Sequence, residues 1–181
     1  GMAFSSKGFR KQAKKKEIEL NEALLSATRD GELPVVCDMS PCLLHMRETL
    51  DSRLRLYDQV EFIHDFLLDR LQFSRQPVSI AIHNTCSTAK MQIEDKFYHV
   101  ASLCAEKVIV PENVTCCGWA GDRGFFYPEL NNSALAPLEQ TKLDATEGYS
   151  NSRTCEIWLS VNSGIAYKSL VYLVDKCTAA L

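Results

Sequence analysis

Two adjacent cysteines, Cys116 and Cys117, precede a loop in which glycine recurs at every third position. The stretch is NVTCCGWAGDRGFF, residues 113 to 126, and its glycines are Gly118, Gly121 and Gly124. A disulfide between sequence neighbours would close a small, strained ring, so we expect no bridge within the pair. Two interpretations remain. The thiols are buried core residues, or both sulfurs face one metal or redox site.

Two further cysteines extend this pattern. Cys86 follows the apolar run PVSIAIHNT and Cys155 follows YSNSRT, which together with the pair gives C-x29-CC-G-x36-C. Four thiolates that converge from three strand ends suit tetrahedral zinc or a [4Fe-4S] cluster, and the spacing does not choose between them. A metal-free module that uses the same thiols for redox exchange is the third hypothesis.

Several neighbours of these cysteines could tune such a site. The glycines would let backbone N–H groups approach sulfur closely. His83 stands three residues before Cys86, where it could bind metal or, as is more common for a histidine at a strand end, position the loop. Asp122 and Arg123 lie inside the glycine loop, and they could form a local ion pair or offset the charge of a thiolate centre.

The composition is that of an ordinary globular protein, with 46% hydrophobic and 24% charged residues in 181 and a net charge of −3. No apolar run reaches the roughly 18 residues of a membrane span, and no secretory leader is visible, so we expect a cytoplasmic protein with reduced thiols. A basic stretch from Lys7 to Lys16 lacks the aromatic or recognition-helix features of nucleic-acid binding. We therefore expect no nucleic-acid partner and no membrane span.

The apolar pattern alternates between strands and helices. Residues 11–30 are typical of an amphipathic helix that Gly31 ends, and LPVVCD is typical of a short buried strand. A helix then follows, with Ser40 as its N-cap and Pro41 as its first residue. PVSIAI, EKVIV and YSNSRTC add three strands, the last ending at Cys155, and helices follow, one from Ser87 to about Glu106. This order predicts a mainly parallel sheet of about four strands in a Rossmann-like three-layer α/β fold.

Open α/β sheets place ligands at the carboxyl edge of the strands, where this order would gather the cysteines. Cys42, Cys86 and Cys155 are predicted in the first turn of a helix, where the helix dipole favours the thiolate. Cys104 and Cys177 lie within apolar helical patterns instead, so we expect them to fill the core.

Four motifs together resemble a known family. CCGWAGDRGF, HNTCSTAKM, VVCDMSPC and SRTCEIWLSVNSG are similar to the cysteine-rich CCG domain at the C-terminal end of FAD-linked oxidases of the D-lactate dehydrogenase and glycolate oxidase type. The likeness runs from about Phe4 to near the end of the chain. It extends to the CCG domains of heterodisulfide reductase subunits, in which two related halves each carry a Cys…CCG…CxxC set.

The resemblance implies a site and a role. Cys86, Cys116, Cys117 and Cys155 would bind an iron-sulfur cluster, with zinc as the alternative metal. The chain would be one domain, with the tail of a first half-repeat at about 32–75, which contributes Cys37 and Cys42 to a second half-site, and a second half-repeat at about 76–181. Trp158 occupies the position of the last thiol of CxxC, so four thiolates are expected and not five.

The resemblance also implies partners. The domain would pass electrons from a flavin to an acceptor, with FAD held only by a separate upstream domain. Its partners would be flavin-binding and ferredoxin-like domains or subunits of the same oxidoreductase, and an electron acceptor could bring it to a membrane surface. Neither a flavin domain nor a C-x2-C-x2-C-x3-C run occurs in these residues, so we expect no turnover of a hydroxy acid by this chain alone.

Overall fold

Strands and helices alternate along most of the chain in the computed structural model, which describes residues 2–119, 122–140 and 143–180. The helices are α1 (Met2–Ser5), α2 (Arg10–Ala27), α3 (Ser40–Thr49), α4 (Gln59–Phe62), α5 (Cys86–Met91), α6 (Glu94–Cys104), α7 (Arg123–Phe126), α8 (Pro128–Gln140), α9 (Arg153–Ser163) and α10 (Leu170–Cys177). The strands are β1 (Val35–Cys37), β2 (Leu56–Asp58), β3 (Leu71–Phe73), β4 (Gln76–Ile82), β5 (Ala105–Ile109), β6 (Glu147–Ser150), β7 (Tyr167–Ser169) and β8 (Thr178–Ala180). A π-helical turn (Ile63–Leu67) and a 3-10 turn (Leu68–Arg70) continue α4.

The central sheet has four parallel strands in the order β5-β4-β6-β7, with helices connecting and flanking them. This confirms the predicted α/β class and the Rossmann-like arrangement. Two smaller sheets accompany it. β1 pairs with β2 in parallel, and β3 pairs with β8 in antiparallel orientation near the end of the described chain.

The prediction that LPVVCD belongs to the central sheet is wrong. LPVVCD does form β1, but β1 pairs with β2, and the fourth strand of the central sheet is β7. Strand β7 has only three residues, too few to establish an alternating pattern, and it leads directly into the helix that follows it. The strand that contains YSNSRTC also ends earlier than predicted, at Ser150, so that Cys155 lies in α9.

Two helix boundaries differ from prediction as well. Met39 and not Ser40 occupies the N-cap of α3, because the Ser40 hydroxyl donates instead to Ser87 Oγ at 2.8 Å. The helix expected from Ser87 to Glu106 is two helices, α5 and α6. Gln92 separates them with a left-handed backbone (φ 57°). The pattern of polar and apolar residues does not predict this conformation.

The segments β1-α3-β2-α4 and β6-α9-β7-α10 share the same local order. In each, two residues separate the first strand from its helix, and a cysteine is the third helical residue, Cys42 in α3 and Cys155 in α9. In each, the second strand leads directly into a helix. Its last residue, Asp58 or Ser169, caps that helix by accepting from the N–H two residues on. The half-repeat boundaries at 32–75 and 76–181 remain predictions.

The core lies on both faces of the central sheet. One cluster packs β4 and β6 against α6 and α10 and includes Cys104 and Cys177, 0% and 2% exposed, which confirms that these two thiols fill the core. The other packs the CCG loop against α8 and α9 and includes Leu135 and Leu159. None of the helices in the described ranges has both the length and the apolar character needed to cross a bilayer.

Candidate functional site

Four cysteine side chains form a hydrogen-bonded row that we call the four-thiol cluster: Cys86, Cys116, Cys117 and Cys155. Cys116 hydrogen-bonds to Cys86 on one side and to Cys117 on the other. Cys117 in turn contacts Cys155, with their sulfurs 2.7 Å apart. All eight cysteines of the chain are free thiols. The sheet therefore brings together the four cysteines that the sequence pattern singled out.

Each member of the cluster follows a strand of the central sheet. Cys86 is the first residue of α5, after β4, and Thr85 caps that helix by accepting from Thr88 N at 3.1 Å. Cys155 is in the first turn of α9, after β6, and the Cys116-Cys117 pair is in the loop after β5. Parallel strands bring these three connections to one edge of the sheet, as predicted. Cys42 is likewise in the first turn of its helix, α3.

The hydrogen bonds divide the four thiols into donors and acceptors. Hydrogen bonds from Cys117 and then Cys86 lower the pKa of Cys116, and a hydrogen bond from Cys117 lowers the pKa of Cys155 despite its burial. The same bonds raise the pKa of Cys86 and of Cys117. Cys86 and Cys117 are therefore the donors of the row, and Cys116 and Cys155 are its acceptors.

The cluster has a buried end and an open end. Cys117 and Cys155 are 4% and 6% exposed, whereas Cys86 and Cys116 are exposed. The buried thiols face the apolar side chains of α8 and α9, so water reaches only the other end. A ligand or redox partner would therefore approach from the side of Cys86 and Cys116.

The backbone of the CCG loop is held in a conformation that requires glycine. Gly118 has a left-handed backbone (φ 72°), and a Cβ there would lie 2.5 Å from the carbonyl oxygen of Leu130. Its N–H donates to Cys116 Sγ at 3.3 Å, as the sequence analysis anticipated for a loop glycine. At Gly124 a Cβ would lie 2.6 Å from Asn131 Oδ1. Gly121 lies outside the described residues.

Asn131 in α8 was not predicted to take part in the site. It is fully buried, and its Nδ2 donates to the carbonyl oxygen of Cys117 at 2.7 Å. This hydrogen bond holds the CCG loop against α8. Ser152 was also missed, and its hydroxyl helps to lower the pKa of Cys155 through a hydrogen bond. Both are ordinary polar residues in sequence, and only their burial distinguishes them.

His83 lies beside the cluster and is 2% exposed. Its backbone N–H donates to the carbonyl oxygen of Tyr149 at 2.9 Å, which ties the end of β4 to β6. Burial lowers the pKa of its side chain to about 4, while the negative charge of Cys116 opposes that shift, so the ring is neutral at pH 7. Its Nε2 has no hydrogen-bond partner among the described residues.

The glycine loop carries two charged residues, Asp122 and Arg123. Asp122 pairs with Lys7 Nζ at 2.6 Å, so its partner is the N-terminal segment and not the adjacent Arg123. Arg123 begins α7. The Asp122-Lys7 pair is solvent-exposed, and such pairs contribute little to stability.

Aromatic rings cover one side of the loop. Trp119 is buried and contacts Phe125 edge to face at a centroid distance of 4.5 Å, and Trp158 lies 6.2 Å from Trp119. Trp158, at the position where a further thiol would complete CxxC, instead packs against the apolar cluster under the loop. Phe125 itself is 69% exposed, so it covers Trp119 and also faces solvent.

The donor set of the cluster suits a metal centre, because sulfur ligands select zinc or iron-sulfur clusters. The 2.7 Å separation of the Cys117 and Cys155 sulfurs is shorter than two ligands of one metal ion require. No group of three or more His, Cys, Asp or Glu side chains in the ranges 2–119, 122–140 and 143–180 is spaced to hold a metal ion. Zinc–sulfur bonds of about 2.3 Å place tetrahedral ligands about 3.8 Å apart, so Cys117 and Cys155 would have to separate by about 1 Å.

Cys37 and Cys42 lie apart from this row. Cys37 is half-buried, and its thiol donates to the carbonyl oxygen of Met39 at 3.5 Å, while Cys42 is exposed. Burial raises the pKa of both thiols. Their assignment to a second half-site stays a prediction.

Comparisons of the chain with protein-family models, with curated proteins and with solved structures find no match.

Proposed function

We propose that this chain is an iron-sulfur electron-transfer domain of an FAD-linked 2-hydroxy-acid oxidoreductase of the D-lactate dehydrogenase and glycolate oxidase type. The observation that carries the proposal is the row of four neighbouring thiols at one edge of a parallel sheet. Cys86, Cys116, Cys117 and Cys155 would hold the [4Fe-4S] cluster. When bound, such a cluster supplies transfer of one electron at a time.

The surrounding residues suit that role. The N–H of Gly118 donates to Cys116 Sγ, and hydrogen bonds to ligating sulfurs are one of the levers by which proteins set a cluster's potential. Burial of Cys117 and Cys155 excludes water from one end of the row. The neutral ring of His83 adds no positive charge at pH 7.

The exposed end of the row would face the partner in electron transfer. Cys86 and Cys116 are exposed there, and Phe125, Phe126 and Tyr127, 53% to 71% exposed, follow the CCG loop directly. Exposed aromatic side chains are common at protein interfaces. In the proposed enzyme the partners would be a flavin-binding domain and a ferredoxin-like domain in the cytoplasm, with FAD bound to the former and with an acceptor that could lie at the membrane surface.

Reconstitution tests the proposal. The purified chain is incubated anaerobically with ferrous iron, sulfide and a reductant, desalted, and analysed for bound iron, acid-labile sulfide and visible absorbance. We expect about four irons per chain and an EPR signal on reduction or oxidation. A second incubation adds zinc together with excess iron and sulfide, so that the two metals compete for the site. Retention of zinc in the presence of excess iron and sulfide would overturn the iron-sulfur proposal and favour a structural zinc domain.

A metal-free dithiol module is the second candidate, and the 2.7 Å contact between Cys117 and Cys155 favours it. In that case the two thiols would lose two protons and two electrons to a low-molecular-weight disulfide, which would be reduced to two thiols, and a bond would form between the two cysteine sulfurs. Titration with oxidised glutathione followed by mass spectrometry measures this reaction. A reversible loss of two hydrogen masses from the metal-free chain, with no iron bound after reconstitution, would establish this candidate instead.

A further inference from the structure

A cavity of about 390 Å³ opens at the carboxyl ends of β1, β2, β6 and β7. Its lining comes from the first residues after each of these strands and from the ends of the strands themselves, and includes Asp38, Gln59, Arg153, Glu156, Ser169 and Tyr172. The crevice beyond the carboxyl ends of parallel strands is where open α/β sheets bind small molecules. Its volume suits a small metabolite.

The amide of Gln59 is the first sign of a ligand. Gln59 is 7% exposed, and its Oε1 accepts from Ser169 Oγ at 3.1 Å, which fixes the orientation of the amide. Its Nε2 has no hydrogen-bond partner among the residues that the structure describes. Buried polar groups are nearly always paired, and Gln59 lines the cavity, so its unpaired amide N–H calls for an acceptor there.

Arg153 supplies a positive charge to the same cavity. Its side chain is 70% exposed, and among the described residues its guanidinium pairs only with Glu156, through Nη1 and Oε2 at 2.8 Å. The remaining N–H groups of the planar guanidinium match the two oxygens of a carboxylate. Helices α9 and α10, of 11 and 8 residues, also begin at the cavity, and their first turns add positive potential there.

The other charged groups narrow the ligand class. Asp38 and Glu156 line the cavity together with Arg153, so two carboxylates oppose one guanidinium. A phosphate dianion would meet more repulsion than attraction. A monoanion with a donor group of its own would use all of these side chains, because its donor could bind the oxygen atoms of Asp38 or Glu156.

We infer that this cavity binds a small carboxylate that also carries a hydroxyl or ammonium group, with the carboxylate on Arg153 and Gln59. The site is separate from the four-thiol cluster, and the inference does not depend on the function proposed for that cluster. A result that contradicts one of these two proposals would not contradict the other.

Amide NMR of the ¹⁵N-labelled chain tests the inference, with the backbone signals of Leu170 to Tyr172 at the start of α10 as reporters. The probes are sodium glycolate, glycine, sodium acetate and inorganic phosphate. We expect saturable shifts with glycolate or glycine, and binding at least about tenfold weaker with acetate, which lacks the donor. Tighter binding of phosphate, or no saturable shift with either glycolate or glycine, would overturn the inference.

Two variants locate the ligand. Gln59→Glu keeps the acceptor for Ser169 and replaces the unpaired amide by a negative charge, so glycolate or glycine should bind at least about tenfold more weakly. Arg153→Leu should weaken binding by a similar factor, and Arg75→Leu, at an exposed arginine outside the cavity, should not. Unchanged affinity in Gln59→Glu, or equal affinity in Arg153→Leu and Arg75→Leu, would show that the carboxylate binds elsewhere and would overturn the assignment.

Discussion

Cys117 and Cys155 lie with their sulfurs 2.7 Å apart although they follow strands that are not neighbours in the sheet. Cys117 comes after β5 and Cys155 after β6, and β4 lies between these two strands. Strands are spaced about 4.8 Å apart, so the CCG loop must cross about 10 Å of sheet to make this contact. The loop therefore passes over the end of β4, where Cys86 begins α5, and its path brings four thiols into one row.

The first prediction concerns the glycine that allows this path. Gly118→Ala adds a Cβ at 2.5 Å from the carbonyl oxygen of Leu130 on a backbone with φ 72°. Left-handed strain and the steric clash should together lower the free energy of unfolding by about 2 to 4 kcal/mol. Urea denaturation followed by circular dichroism measures the change.

Gly164→Ala is the matched control for that prediction. Gly164 has nearly the same backbone (φ 73°), but a Cβ there would meet no atom of the described part of the chain within 4 Å. Its substitution should cost only the backbone strain, about 1 kcal/mol. Equal losses in the two variants would mean that the contact with Leu130 does not constrain the CCG loop.

The gathering of the cysteines could be predicted because it depends on rules that act at long range. Right-handed crossovers between parallel strands bring every strand-to-helix connection to one edge, so Cys86, the CCG pair and Cys155 come to the same edge of the sheet. The same reasoning identified the α/β class. It required only the positions of apolar runs and of the cysteines that follow them.

Short strands and buried polar contacts could not be predicted in this way. β2 and β7 have three residues each, too few to show a period, and each leads directly into a helix whose pattern dominates. The Ser40 hydroxyl was expected to cap α3 but hydrogen-bonds to Ser87, 47 residues away. No local sequence pattern predicts such a contact. Gln59 and Asn131 gained importance only because the fold buries them.

The second prediction concerns Asn151, which joins the two parallel sheets. Its Oδ1 accepts from Thr88 Oγ1 at 2.9 Å, and its Nδ2 donates to Asp58 Oδ2 at 3.1 Å, with all three residues 0% exposed. Asn151→Ala leaves buried polar groups unpaired and should lower the free energy of unfolding by about 2 to 4 kcal/mol, measured by urea denaturation. Asn162→Ala, which removes a single bond to the Trp158 carbonyl oxygen, should cost about 1 kcal/mol or less. A similar cost for both substitutions would contradict this account of Asn151.

The third prediction is a dependence of stability on pH that originates at Asp58. Burial raises the pKa of this carboxyl group to about 6, against the hydrogen bonds from Val60 N and Asn151. The folded chain therefore binds the proton more tightly than the unfolded chain, whose aspartate pKa is near 3.9. The stabilisation that results is fully present below the unfolded pKa and is lost as pH rises through about 6. Urea denaturation at intervals from pH 4 to pH 7 should show the free energy of unfolding falling over this range.

Asp58→Asn isolates that contribution. The variant retains an oxygen acceptor for Val60 N but has no proton to lose, so the difference in stability between wild type and variant should change by about 2 to 3 kcal/mol from pH 4 to pH 7. Glu156, whose pKa burial also raises, titrates in both proteins and cancels in the difference. A difference that stays constant with pH would show that Asp58 titrates normally in the folded chain.

The fourth prediction compares two cysteines of the same fold. Cys155→Ser replaces one thiol of the row by a hydroxyl, a harder and poorer ligand for iron or zinc, so the reconstituted protein should lose most of its iron and its visible absorbance. Cys177→Ser changes a buried thiol in the core between β6 and α10, 2% exposed and outside the row, so it should cost modest stability and leave the iron content unchanged. Iron and labile sulfide are measured after anaerobic reconstitution, and circular dichroism verifies that both variants are folded. Equal iron content in wild type and Cys155→Ser would remove Cys155 from the ligand set, and the contact between Cys117 and Cys155 would then have to be explained by dithiol chemistry or by packing alone.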